Sequence, residues 1–361
     1  MDDSGKEMGA SYAINFFGLP LDVDENASSI EEKRETILSP CGSVPKDPWE
    51  GVMDFLRPQL PHGAFHEWGR LPVESWLLPF PDPEDLPRLT VENFVRFIDS
   101  DGCRTYARMV EGFLRERLTN GVPCLLGVDH SSTGGVVRVL TEKYGPENIS
   151  VIFLDSHVDA LPMEISCRMI EYDLEQNRNS FYDSLDPYIK GRVNSYNSGS
   201  FIKYMIDEDV ILPSQTMIVG ISDYPTRKMA RILDDRVKGY VSVYSDLIRR
   251  GIRLVRKNEL RTKPGRLRSI LQRIDSPLIY VSIDMDIGAR NGAPAVRFQN
   301  YSGLSENEII RIIRTIKAEL LVKKKKKLVG LDIQEINCRQ AHRDNGQTYR
   351  LAATLILELF S

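Results

Sequence analysis

Four short apolar runs, each ending abruptly in acids or histidine, constrain this chain more than any other feature. Cys124-Leu125-Leu126-Gly127-Val128 leads into Asp129-His130, and Val151-Ile152-Phe153-Leu154 leads into Asp155-Ser156-His157-Val158-Asp159. Leu278-Ile279-Tyr280-Val281-Ser282-Ile283 leads into Asp284-Met285-Asp286. Leu328-Val329-Gly330-Leu331 passes through Asp332-Ile333-Gln334 to Glu335. Continuous rather than alternating hydrophobicity marks strands buried on both faces, which means a parallel sheet covered by helices. Helical spacing appears between the runs. Gly134 to Lys143 is apolar at Val136, Val137, Val139 and Leu140, and Asn307 to Leu321 repeats Ile309, Ile310, Ile312, Ile313, Ile316 and Leu320. Right-handed crossovers then put every strand C-terminus on one edge, where open α/β sheets bind their ligands.

Composition narrows the function classes. The chain has 361 residues, 42% of them apolar and 27% charged, which excludes a disordered chain. Its formal charge of −4 argues against a nucleic-acid partner. No apolar run approaches the roughly 20 residues of a membrane helix, so no membrane partner is expected. Met1-Asp2-Asp3-Ser4-Gly5-Lys6-Glu7 lacks the basic-then-apolar layout of a secretory signal. Cys41, Cys103, Cys124, Cys167 and Cys338 are odd in number and show no CxxC spacing, the pattern of reduced thiols in a cytoplasm.

Two segments read as additions to the core. Residues 40–90 carry Trp49, Trp68, Trp76 and many prolines with little periodicity, and residues 160–198 are polar and rich in asparagine and tyrosine. Such irregular stretches beside strand ends are expected to act as lids or substrate walls. The run Lys323 to Lys327 reads as a solvated helix end or turn before a strand.

The chemistry concentrates in His130, Asp155, His157, Asp159, Asp284 and Asp286. In an extended chain, residues i and i+2 point the same way, so Asp155, His157 and Asp159 can face one pocket, as can Asp284 and Asp286. Carboxylates crowded together repel unless cations sit between them. Two divalent metals about 3.5–4 Å apart would supply that charge. Imidazole with hard oxygens suits Mn2+, with Ni2+, Fe2+, Co2+ and Zn2+ as alternatives. Any one motif alone is accounted for by an aspartate capping the next helix. Three in order, each closing a buried strand, point to a metal site.

These motifs resemble those of the ureohydrolase superfamily of arginases and agmatinases, whose signatures read GGDHS, DAHxD and SxDxDxxDP. The counterparts here are Gly127-Val128-Asp129-His130-Ser131, Asp155-Ser156-His157-Val158-Asp159 and Ser282-Ile283-Asp284-Met285-Asp286. Gly330 to Asn337 is similar to the family's GxDxVEVNP strand, Phe17 to Asp22 to its first strand and turn, and Thr348 to Leu359 to its closing helix. The resemblance implies a single domain over residues 1–361, built as a three-layer α/β/α fold on a mainly parallel eight-stranded sheet. It implies that His130, Asp155, Asp159 and Asp284 hold one metal. His157, Asp155, Asp284 and Asp286 would hold the other, with Asp155 and Asp284 bridging. It further implies that Glu335 anchors a substrate guanidinium, that a metal-bridging hydroxide attacks the guanidinium carbon, and that urea leaves. The partners implied are a small guanidino or amidino substrate and further copies of the chain in a homo-oligomer.

The departures matter equally. Ala289-Arg290 stands where the family has Asp-Pro, and Arg297-Phe298 lies within its Gly-Thr-rich loop. The family's catalytic histidine should fall near Tyr196-Asn197-Ser198-Gly199-Ser200, which contains none. His342, just past Glu335, is the nearest replacement along the sequence, with an ordinary surface histidine as the alternative reading. His62 and His66 would need residues 40–90 to fold over the site, and Tyr196, Ser198 or a metal-bound water are further replacements. Arg297, with Arg290, is expected either to offer positive charge to an anionic substrate group or to pair with an acid such as Glu335. Two further readings stand beside a guanidine hydrolase: a metal-binding homologue with a regulatory or scaffolding role, and a hydrolase of another amide-type substrate.

Overall fold

The computed structural model describes residues 13–39, 45–61, 63–180 and 182–360. Within them, the apolar runs become adjacent strands of one sheet. The strands are β1 (Ile14–Leu19), β2 (Phe65–Arg70), β3 (Val122–Gly127), β4 (Ile149–Leu154), β5 (Thr216–Ile221), β6 (Arg253–Arg256), β7 (Leu278–Asp284) and β8 (Lys327–Gln334). They lie in the order β2-β1-β3-β8-β7-β4-β5-β6, and every pairing is parallel. This is the eight-stranded α/β architecture expected.

Alternate strand residues feed two apolar layers. Phe16, Cys124, Leu126, Ile152, Leu154, Val281 and Ile283 pack on one face, against the helices Pro48–Leu56, Glu306–Ile316 and Gln347–Phe360. Phe17, Leu125, Val151, Phe153 and Tyr280 pack on the other, against Gly102–Arg117, Thr133–Tyr144 and Asp235–Arg250. Period-two alternation between two buried faces is why the runs are apolar throughout. The helices expected at Gly134–Lys143 and Thr348–Leu359 are each present with slightly longer bounds. The one expected at Asn307–Leu321 runs from Glu306 to Ile316 and continues as a π-helical segment, Lys317–Lys323, before β8.

The described part of residues 40–90 is less irregular than its sequence suggests. Pro48–Leu56 is a helix capped by Asp47, whose side chain accepts the Glu50 N–H, and Phe65–Arg70 is the edge strand beside β1. That strand reads poorly from sequence because an edge strand is half exposed and needs no continuous apolar run. Gly69, at φ +82°, sits where the β1–β2 register slips, a conformation glycine adopts without strain. In the second segment, Met163–Gln176 is helical, and the described residues from 177 to 198 form turns, bends and irregular chain. Among the described residues, no helix is long and apolar enough to cross a membrane. Cys103, Cys124, Cys167 and Cys338 are buried free thiols; Cys41 lies outside the described residues.

Candidate metal centre

The ends of β3, β8, β7 and β4, four neighbours in the sheet, converge on one cluster of side chains. His130 opens the turn after β3, Asp155 follows β4 directly, and Asp284 is the last residue of β7. Nδ1 of His130 lies 2.8 Å from Asp159 Oδ2, 3.1 Å from Asp284 Oδ2 and 3.3 Å from Asp155 Oδ2. Nδ1 of His157 lies 2.7 Å from Asp286 Oδ2 and 3.8 Å from Asp155 Oδ1. Two groups of donor atoms result: His130, Asp155, Asp159 and Asp284 form one, and Asp155, His157 and Asp286 the other. Asp155 belongs to both.

The set expected for the second metal also includes Asp284. Asp284 and Asp155 are held alike, Asp284 Oδ1 accepting the Asp286 N–H at 2.7 Å and Asp155 Oδ1 the His157 N–H at 2.6 Å, and of the two only Asp155 falls within both donor groups.

Hydrogen bonds behind the cluster set its direction. Nε2 of His130 is 2.9 Å from Ser282 Oγ, and Ser282 donates to Asp332 Oδ1 at 2.8 Å. Tyr280 donates to the other oxygen of Asp332. With the hydroxyl proton committed to Asp332, Ser282 accepts from Nε2–H, which leaves Nδ1 as a bare lone pair facing three carboxylates. Ser156 donates to Asp286 Oδ1 through both its N–H, at 3.2 Å, and its hydroxyl, at 2.9 Å. His130 Nδ1, Asp155 Oδ2 and Asp286 Oδ2 are buried without a hydrogen-bond partner. Buried lone pairs aimed at one another repel, and a cation between them removes the conflict. The donor set therefore fits divalent metal.

Electrostatics agree. Burial and the neighbouring carboxylates push Asp159 and Asp284 well above the usual carboxylate range. For His130, burial acts to lower its pKa, but Asp155, Asp159 and Asp284 outweigh it and raise it well above an ordinary histidine. Left to itself, the cluster would draw in protons to offset its charge. Asp159 and Glu335 also hold left-handed backbones, at φ +44° and +66°, and non-glycine residues keep such strain where the surrounding structure enforces it.

Glu335 and Arg297 lie behind this cluster rather than at an open rim. Glu335 Oε1 accepts the His130 N–H at 3.2 Å, and Oε2 faces Arg297 Nε at 3.5 Å. The Arg297 side chain is only 2% exposed. Its guanidinium also lies 3.4 Å from Asp129 Oδ2 and 3.7 Å from Asp22 Oδ1, and it donates to the Val23 carbonyl. Arg297 thus presents no free positive charge to an anion, because acids on three other strand ends converge on it. Arg290 is exposed.

The expected substitutes for the missing histidine are placed as follows. His342 caps a four-residue helix and lines a groove with Glu32, Glu35, Phe80 and Arg339; none of the six ligand candidates lines that groove. His66 is exposed on the edge strand β2, beyond β1 from the cluster, and His62 lies outside the described residues. Tyr196 is turned inward, its hydroxyl donating to the Ser131 carbonyl at 2.6 Å. Ser198 is half-buried in the loop whose Gly199 carbonyl accepts the Leu161 N–H, two residues past Asp159.

Sequence reasoning passed over Asp223. It follows β5 after another apolar run ending in an acid, Met217-Ile218-Val219-Gly220-Ile221-Ser222-Asp223, so the signal was available. Burial pushes Asp223 up to about 6 against the opposing pull of His157, and its Oδ1 has no hydrogen-bond partner. Phe298 and Tyr301 also went unassigned. Their rings stand 6.2 and 5.7 Å from that of His157, whose side chain is 22% exposed and is the open side of the cluster.

Residues 79–361 match the family model described as the arginase family. The chain belongs to the arginase family. Proclavaminate amidinohydrolase of Streptomyces clavuligerus is 25% identical over 242 residues, 66% of this chain and 61% of that protein, so the chain spans less than two thirds of this relative. The solved arginase of Bacillus caldovelox superposes with a TM-score of 0.58 at 16% identity, covering 97% of this chain and 98% of that one. Formimidoylglutamase of Bacillus subtilis superposes with a TM-score of 0.57 at 15% identity, covering 97% and 86%. At these identities, the arginase-family likeness in structure is one of fold.

Proposed function

We propose that the chain is a metal-dependent hydrolase of a linear C–N bond in a small amidine- or guanidine-type molecule. Its two divalent ions would be held by His130, Asp155, Asp159 and Asp284 and by Asp155, His157 and Asp286. The observation that carries this reading is the sharing of Asp155 between two donor groups, with unpartnered lone pairs converging from both sides. Carboxylate oxygens and two imidazoles favour Mn2+ as the ion. Bound divalent cations supply Lewis acidity and a water nucleophile at neutral pH.

The chain's own residues do the rest. Asp332 and Ser282 hold the His130 ring so that Nδ1 faces the cluster, and Ser156 holds the Asp286 carboxylate. Phe298 and Tyr301 wall the open side at His157, where an apolar surface limits water and guides a small molecule inward. The names of the relatives, an amidinohydrolase and an arginase, support C–N hydrolysis as the reaction class. The buried free cysteines accord with a reducing, cytoplasmic setting.

The test is turnover of a panel of arginine, agmatine, 4-guanidinobutyrate and a formimino compound by metal-stripped and Mn2+-reloaded protein, read as ammonia or urea. Turnover should appear only on reloading and vanish in Asp155→Asn. Equal turnover by stripped protein would refute the proposal.

A further inference from the structure

We propose that Tyr182, Phe298 and Tyr301 form an aromatic mouth at His157. It selects a guanidine or amidine that carries an uncharged alkyl or aryl group on nitrogen, and turns away one whose far end is a carboxylate. This deepens the hydrolase reading and rests on it for the reacting group. Two separate segments supply the rings. Phe298 and Tyr301 come from the loop after β7, with ring centroids 6.2 and 5.7 Å from that of His157. Tyr182 comes from the turns after the helix Met163–Gln176, close enough for His157 to act on its hydroxyl and for that hydroxyl to act on Tyr301. Tyr182 is 44% exposed and Tyr301 37%, large rings left open beside a cluster that is otherwise buried. Aromatic surface exposed at such a place is what the apolar part of a ligand covers.

The loop rings are held before anything binds. The Arg297 guanidinium lies 5.1 Å from the centroid of the Phe298 ring, and buried acids fix Arg297 in turn. Lys257 Nζ donates to the Ser302 carbonyl at 2.6 Å, which pins the backbone next to Tyr301. Rings already ordered lose little freedom when a ligand packs on them. Charge decides the rest. Apart from thiol and phenol groups, the ionisable residues that act on Tyr182, Tyr240 and Tyr301 are His157, Asp173 and Asp223; no lysine or arginine is among them. Arg256, stacked 5.1 Å from the Tyr224 ring, is paired with Glu259 at 3.3 Å. Asp223 Oδ1 is buried with no hydrogen-bond partner. A carboxylate drawn in here would meet acids and the negative faces of rings, whereas an apolar chain or ring meets no opposing charge.

The experiment uses Mn2+-loaded protein and two ligand pairs, read as Kd by calorimetry, or as KM where a compound turns over. N-butylguanidine is compared with 4-guanidinobutyrate, and benzylguanidine with methylguanidine. The first of each pair should bind wild type at least ten-fold more tightly. Tyr301→Ala should lose most of the benzylguanidine preference while methylguanidine stays within two-fold, and Tyr301→Phe should keep the preference. Equal or tighter binding of 4-guanidinobutyrate overturns the proposal. So does a Tyr301→Ala variant that weakens benzyl- and methylguanidine alike, or a failure of all four compounds to bind. An unchanged thermal midpoint checks the fold of the variant; should it not fold, the two wild-type pairs decide alone. The expected preferences without hydrolysis of any compound would sink the hydrolase reading and leave the mouth standing. Turnover of arginine or the formimino compound with no preference in either pair would do the reverse.

Discussion

Ser282 Oγ stands 2.9 Å from Nε2 of His130, and that contact decides which edge of the imidazole faces the carboxylates. Because Ser282 gives its proton to Asp332, the ring must donate at Nε2 and keep Nδ1 bare. Ser282→Ala should therefore weaken Mn2+ binding by roughly 10–100-fold, the usual scale for losing a partner behind a metal-binding histidine. Titration calorimetry measures it, and unchanged affinity would show that the tautomer is set elsewhere.

Asp155 and Asp286 should differ in how much metal they control. Asp155 belongs to both donor groups and Asp286 to one. Elemental analysis after reloading should give about two equivalents for wild type. Asp286→Asn should retain about half of that and Asp155→Asn almost none. Equal losses in the two variants would contradict the shared role of Asp155.

Breaking the buried pair should cost stability in a recognisable way. Arg297→Ala leaves Asp129 and Glu335 buried without their cation, a loss of about 3–5 kcal/mol in urea denaturation of metal-free protein. Arg297→Ala combined with Glu335→Gln should recover part of it, because one stranded charge is gone. Strict additivity of the two substitutions would mean that the residues do not interact.

Lys33 supplies a pH signature away from the metal cluster. Burial, only partly offset by Asp22, lowers its pKa to about 7. The unfolded chain keeps this proton up to the ordinary lysine range, near 10.5. Between those values the unfolded state binds more protons than the folded one, so stability rises with pH across that window. With EDTA present throughout, wild type should gain up to about 5 kcal/mol over this range relative to Lys33→Met. Parallel pH profiles for the two proteins would rule the contribution out.

The six ligand candidates were legible because each follows an apolar run, and a run buried on both faces is a local property of the chain. Asp223 carries the same signal after β5 and was overlooked amid a longer polar context. The edge strand Phe65–Arg70 gave no comparable signal, since only one neighbour pairs with it and half its residues meet solvent. The bridging role expected of Asp284 came from the family resemblance; in the structure its Oδ1 accepts the Asp286 N–H, as Asp155 Oδ1 accepts that of His157.

The order of apolar runs and the acids that close them determined, from sequence alone, a parallel sheet with acids and histidines gathered at one edge. What Arg297 does was decided only by tertiary structure. Its sequence neighbours are Val296 and Phe298, and nothing in them indicates a guanidinium buried against three acids from other strand ends. Strand order brings β1, β3 and β8 side by side, and so sets Asp22, Asp129 and Glu335 around one point. Hydrophobic burial is written residue by residue, whereas charge pairing depends on which distant segments the sheet makes neighbours.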